Sequence, residues 1–154
     1  MAVKAARFIA DLKGFSAVGL DSSILIYHLE DVPPYSDLTE AAFAAIAEGS
    51  PSAVLSTLSV TQLLVQPFSN EQPDRIAAFE QFILSSPNTA LIPTSYAIAK
   101  EAARLRASYR IRTPDALLVA TALSGKAEAF LTNDARLRRL KLERMRILLL
   151  HDYM

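Results

Sequence analysis

Two rhythms of apolar residues alternate along this chain of 154 residues. Short, nearly continuous apolar runs at 17–20, 52–55, 89–92, 129–132 and 146–150 have the character of buried strands. Between them lie longer stretches with helical spacing. The pattern predicts helices over 22–29, which Pro33 and Pro34 end, and over 35–48, where Leu38, Ala41, Ala42, Ala45 and Ile46 share a face and Gly49 stops the run. Further helices are expected over 59–65, halted by Pro67, over 73–84, from 95 to about 108, and over 113–124, ended by Gly125. After the fourth strand, Asn133 and Asp134 lead into a last helix ending near Leu140. Residues 1–15 also carry apolar residues at helical spacing, mixed with Lys4, Arg7, Asp11 and Lys13. They predict an amphipathic helix, giving an N-terminal helical extension over 1–16 and one domain over 17–154.

Strands alternating with helices imply an α/β fold in which a five-stranded parallel sheet is sandwiched between helices. In such sheets functional groups gather beyond the carboxyl ends of the strands, near the point where strand order reverses. Asp21 directly follows the first strand, and Asp134 follows the fourth. Asp115 sits in Arg-Thr-Pro-Asp-Ala-Leu-Leu-Val-Ala, where Thr113 reads as the N-cap and Pro114 as the first helical residue. A carboxylate in a first helical turn is favoured by the unpaired N–H groups there. Capping therefore accounts for one such Asp taken singly, but not for three. Three carboxylates with Ser23, Thr132 and Asn133 beside them suggest a divalent-metal site. The strand-end rule does not itself bring Asp115 to that edge; it would have to reach the site from a helix N-terminus.

Composition narrows the chemistry further. The chain has no cysteine, which excludes disulfides, thiolate metal sites and cysteine nucleophiles. No apolar run approaches the roughly 20 residues of a membrane span, and the N-terminal stretch lacks the continuous apolar core of a signal peptide. A cytoplasmic protein with no membrane attachment is expected. The four glycines are scattered, without a phosphate-cradling loop, and His28 and His151 lack metal-ligand spacing. The serines have no convincing His–acid partners for a hydrolase triad.

Net charge is zero, but its distribution is uneven. Residues 1–99 hold 4 basic and 10 acidic groups, a net of −6, whereas residues 100–146 hold 12 basic and 5 acidic groups, a net of +7. Arginine dominates the positive half, in clusters around Arg112 and around Arg136 and Arg138. Bidentate guanidinium groups suit phosphate, and both clusters adjoin a proposed metal carboxylate, so a polyanionic substrate is expected.

Leu-Asp-Ser-Ser-Ile-Leu-Ile-Tyr (20–27), Leu-Ser-Thr-Leu-Ser-Val-Thr-Gln-Leu-Leu-Val (55–65), Thr-Pro-Asp-Ala-Leu-Leu-Val-Ala-Thr-Ala-Leu (113–123) and Phe-Leu-Thr-Asn-Asp (130–134) occur in an order and spacing that resembles the PIN-domain family, including its VapC-type toxins of toxin–antitoxin modules. The resemblance spans residue 17 to the end. It implies a Mg²⁺- or Mn²⁺-dependent endoribonuclease with an RNA substrate, a cognate antitoxin and frequent homodimerisation. Asp21, Asp115 and Asp134 match the family's acidic positions, and Ser23 and Thr132 its supporting polar positions. The family's glutamate in the helix after the second strand is here Gln62, which keeps a neutral oxygen but removes one negative charge. With Asn133 beside the acidic set and Arg112, Arg136 and Arg138 as RNA-binding groups, this is the expected site.

Overall fold

The computed structural model describes residues 2–154, so Met1 lies outside it. Helix α1 (Ala2–Leu12) precedes β1 (Ala17–Leu20), α2 (Ser22–Leu29), α3 (Ser36–Ala47) and β2 (Ser52–Ser56). Then come α4 (Thr57–Ser69), α5 (Pro73–Ser85), β3 (Thr89–Ile92), α6 (Tyr96–Tyr109) and α7 (Thr113–Ser124). The chain closes with β4 (Ala129–Thr132), a short 3-10 helix (Ala135–Arg139), β5 (Arg146–Leu149) and a final 3-10 turn (Leu150–Tyr153). All four strand pairings are parallel, in the order β3-β2-β1-β4-β5. Strand order thus reverses at β1, and the switch point lies between β1 and β4.

The alternation of side chains along the strands divides the interior in two. Val18, Leu20, Ala53, Leu55, Ala129 and Leu131 face a core closed by α1, α2, α3 and α5. Val54 and Phe130 face a second core closed by α6 and α7. Because both faces are covered, the strands read as continuous apolar runs rather than alternating ones. Phe8 and Leu12 of α1 are fully buried in the first core beside Leu150 and Tyr153. The central strand can carry no side chain at Gly19. A Cβ there would lie 2.4 Å from the Cβ of Ala122 and 3.0 Å from Phe130 Cδ1. The missing side chain lets α7 lie directly on β1.

Local details depart from the sequence expectation at three points. Arg112, with extended backbone, is the N-cap of α7, and Thr113 is already its first residue. Pro67 does not halt α4, which begins at Thr57 under the Ser56 side-chain cap and runs on to Ser69. Proline removes only its own N–H and sits buried in the last turns, while the bond from Asn70 N–H to Gln66 O (2.9 Å) continues beyond it. The expected helix after Asp134 is a 3-10 segment, because the Asp134 carboxylate accepts from Arg136 N–H (2.9 Å) and Leu137 N–H donates to Asp134 O (3.0 Å), a tight-turn pattern. No described helix is long and apolar enough to cross a membrane.

Candidate active site

Two strand ends and one helix start deliver the acidic groups. Asp21 continues the sheet beyond β1, its N–H donating to Leu131 O (2.9 Å), and it opens α2. Its carboxylate is not used as a cap. It accepts from Thr132 Oγ1 (2.5 Å), at the end of the neighbouring strand β4. The same hydroxyl accepts the Asp134 N–H (3.0 Å), so fully buried Thr132 ties both aspartates to the sheet edge from beneath. Asp115 comes from the first turn of α7, which Gly19 allows to approach β1. Asp21, Asp115 and Asp134 line one cavity of about 320 Å³ at the carboxyl edge of the sheet. Asp21 and Asp115 are each only 8% exposed.

The remaining expected residues fall around this cavity in different roles. Ser23, Gln62, Asn133 and Arg112 also line it. Gln62 reaches in from α4 and accepts a hydrogen bond from the Ser22 hydroxyl, which is also 2.8 Å from Ser59 Oγ. Ser23 Oγ is buried and has no hydrogen-bond partner. Arg136 and Arg138 line an adjoining basic groove of about 560 Å³, with Arg139 and Lys141. Arg138 is held there by a two-pronged contact to Asp152 (2.9 and 3.1 Å) and does not reach the acidic cavity.

Electrostatics distinguish the three carboxylates. Burial pushes Asp21 above the usual carboxylate range, and the neighbouring charges of Asp115 and Asp134 push the same way. The Thr132 hydroxyl and the Ser22 N–H oppose them. Asp134 is held below that range, first by its hydrogen bonds from the Arg136 guanidinium (2.7 to 3.2 Å). Asp115 is bridged by Arg112, with Nε at 3.1 Å and Nη2 at 3.4 Å. Two arginines expected to face a substrate are therefore turned onto the acidic groups. Among the described residues, no three His, Cys, Asp or Glu side chains stand close enough together to hold one ion as placed. Cations neutralise two of the three carboxylates, which relieves the repulsion that convergence would otherwise impose.

Tyr27 and Ser22 line the cavity as well and were not singled out from the sequence. Tyr27 lies four residues after Ser23 on one helix, so helical spacing is the signal that places both on the same face.

The sequence profile of the PIN domain matches residues 18–142. The chain belongs to the PIN domain family. The match takes in every acidic residue of the cavity and leaves out α1 and the residues after 142. No curated protein sequence matches the chain. Solved structures share the PIN fold. VapBC2 from Rickettsia felis, bound to a DNA fragment from its promoter, is similar at 16% identity over 86% of this chain and 97% of the other, with a TM-score of 0.68. DNA-bound VapBC from Salmonella typhimurium gives 15% identity over 88% and 98%, with a TM-score of 0.65. A toxin–antitoxin complex from Klebsiella pneumoniae gives 23% identity over 84% and 95%, with a TM-score of 0.60.

Proposed function

We propose that this PIN domain is a divalent-metal-dependent endoribonuclease that acts in the cytoplasm as the toxin of a toxin–antitoxin pair. The observation that carries the reading is the gathering of Asp21, Asp115 and Asp134, from three separate segments, around one cavity at the strand-order switch point. Support for an antitoxin partner comes from the solved PIN neighbours, whose descriptions name VapBC and toxin–antitoxin complexes. A homodimer belongs to the same reading.

The donor set fits Mg²⁺ or Mn²⁺. It consists of oxygen only: three carboxylates, the Gln62 amide and the buried Ser23 hydroxyl that has no partner of its own. Hard cations take oxygen ligands and retain waters and substrate phosphate oxygens. Asp21, Asp115 and Asp134 would hold the ion only by drawing closer than they stand as placed, with Gln62 and Ser23 at the margin. When bound, such an ion supplies Lewis-acid stabilisation and a water acidic enough to attack a phosphodiester at neutral pH. The chain's own residues set the geometry. The Thr132 hydroxyl fixes the Asp21 carboxylate and accepts the Asp134 N–H, which ties both residues to the strand ends. Arg112 and Arg136, once released from Asp115 and Asp134, would be free to bind phosphates of the RNA backbone. The groove with Arg138, Arg139 and Lys141 extends that track.

Gln62 favours a second reading, in which the site binds RNA with weakened catalysis. It stands in the cavity wall and contributes no charge. Cleavage of an RNA pool with Mg²⁺, Mn²⁺ or a chelator separates the two. Wild type should cleave only with metal, Asp115→Asn should lose cleavage, and Gln62→Glu should gain it. Cleavage by Gln62→Glu alone would establish the second reading, and metal-independent cleavage, or none by either protein, would overturn the nuclease.

A further inference from the structure

The cavity has one wall whose hydrogen bonds are directional. Asn133, between Thr132 and Asp134, accepts at Oδ1 from the backbone N–H of His151 (2.9 Å). A backbone N–H can only donate, so this bond fixes which way the amide points. The other end, Nδ2, must then donate to the Tyr27 hydroxyl oxygen, 3.2 Å away. Tyr27 is thus an acceptor toward Asn133, and its own hydrogen is not used in that contact. Among the described residues, the Tyr27 hydroxyl has no other hydrogen-bond partner. Tyr27 lines the cavity with Asp21 and Asp134.

Its ring is held as firmly as its oxygen. Tyr27 stacks on Tyr35 with centroids 4.8 Å apart and planes 24° from parallel. The Tyr35 hydroxyl lies 3.2 Å from His151 Nδ1, closing a loop of contacts through Tyr27, Asn133, His151 and Tyr35. His151 is itself anchored from outside the matched PIN segment. The Tyr153 hydroxyl donates to Asp11 Oδ2 of α1 (2.6 Å), Arg7 donates to Asp152 O (3.2 Å), and Leu150 is fully buried. The two ends of the chain therefore grip each other and present one backbone N–H to the cavity wall.

We infer that Tyr27 is a substrate-binding residue, donating its phenolic hydrogen to an acceptor oxygen of the bound nucleic-acid strand, and that Asn133 and His151 are positioning residues that impose this donor direction. The inference rests on the nucleic-acid reading of the cavity. The acceptor is a phosphate oxygen or a ribose 2′-oxygen, and both take the same hydrogen bond.

Binding of a labelled RNA oligonucleotide and of the same sequence as DNA, by fluorescence anisotropy with Ca²⁺ in place of Mg²⁺, tests it. Tyr27→Phe keeps the stacking ring and removes the donor. A hydrogen bond to a charged oxygen corresponds to about tenfold in affinity, so the variant should bind RNA about tenfold more weakly. The slope of log Kd against log salt should not change, because no charge is lost, while the thermal midpoint should fall slightly, because Asn133 Nδ2 loses its acceptor. Equal losses on RNA and DNA would place the acceptor on phosphate, and a loss confined to RNA would place it on the 2′-oxygen. Asn133→Asp reverses the polarity: the carboxylate still accepts from His151 but cannot donate, and it draws the Tyr27 hydrogen out of the cavity. Its cost should be larger in the wild-type background than in Tyr27→Phe, where only the added charge acts. If wild type binds RNA and Tyr27→Phe binds both oligonucleotides equally well, the role of Tyr27 is refuted while the nuclease reading stands. Failure of wild type to bind either oligonucleotide would overturn both.

Discussion

Gly19→Ala places one methyl group at the tightest junction of the fold. The new Cβ would stand 2.4 Å from Ala122 Cβ and 3.0 Å from Phe130 Cδ1. Apolar carbons settle at about 3.5–4.0 Å, so the first contact is short by more than about 1 Å. Neither partner can rotate away. Ala122 has no side-chain torsion, and Phe130 is fully buried. Relief requires α7 to lift from the sheet. Overpacking of this kind costs typically about 1–3 kcal/mol, and the rigid partners put Gly19→Ala near the top of that range. For a chain of this length about 3 kcal/mol corresponds to a fall in thermal midpoint of roughly 6–12 °C. Asp115 lies two turns before Ala122 on the same helix face, so the lift also moves a carboxylate out of the cavity. A misplacement of about 1 Å can cost about a hundredfold in rate. Differential scanning calorimetry and metal-dependent RNA cleavage read the two effects. Adding Ala122→Gly should recover part of both, less about 1 kcal/mol for glycine inside a helix. An unchanged midpoint in Gly19→Ala, or no recovery in the double variant, would refute this account of how α7 and Asp115 are positioned.

Three further outcomes follow from the charges. Because the folded chain holds the Asp21 proton more tightly than the unfolded chain, the stability from this group is present at low pH and is lost as pH rises through the raised folded value. Asp21→Asn, with metal chelated, should therefore raise the thermal midpoint at neutral pH, and the gain should shrink on acidification into the ordinary carboxylate range; a variant less stable than wild type at neutral pH would contradict the burial penalty. Arg136→Ala and Arg112→Ala free the carboxylates of Asp134 and Asp115, so calorimetric Mn²⁺ affinity should rise in each and most in the double variant, whereas unchanged affinity would mean that the guanidinium groups do not compete with metal. The same double variant should bind RNA more weakly with a shallower salt slope, since the two proposed phosphate contacts are removed, and a slope equal to wild type would return both arginines to a purely internal role.

The legible parts of this protein are those where local pattern and tertiary role coincide. The strand-to-helix changes at Leu20–Asp21 and after Thr132 are visible because the apolar rhythm switches where a carboxylate appears. The Thr-Pro-Asp sequence marks the start of α7 to within one residue, although Arg112 rather than Thr113 is the cap. Asp115 reaches the cavity because a glycine eight strand-and-helix elements earlier lets its helix approach, a relation no local pattern carries. The arginine contacts escape sequence reading for a different reason. Arg112 and Arg136 are close in sequence to Asp115 and Asp134, and spacing alone cannot say whether a long basic side chain points to solvent or folds back. The contact between Arg138 and Asp152 escapes for the same reason, since the final turn brings Asp152 to it from fourteen residues away. Asn133 is legible as a polar neighbour of the acidic set, but its orientation depends on His151, which only the completed sheet places beside it.

The position that Mn²⁺ takes in the folded protein decides whether the three aspartates form a metal site. Anomalous scattering at the manganese absorption edge, from crystals of the intact chain equilibrated with Mn²⁺, locates the ion without reference to activity. A peak is expected in the cavity between the carboxylates of Asp21, Asp115 and Asp134, with the Arg112 and Arg136 guanidinium groups turned away from Asp115 and Asp134. Manganese bound only elsewhere on the molecule, with both arginines still locked onto their aspartates, would contradict a metal site there.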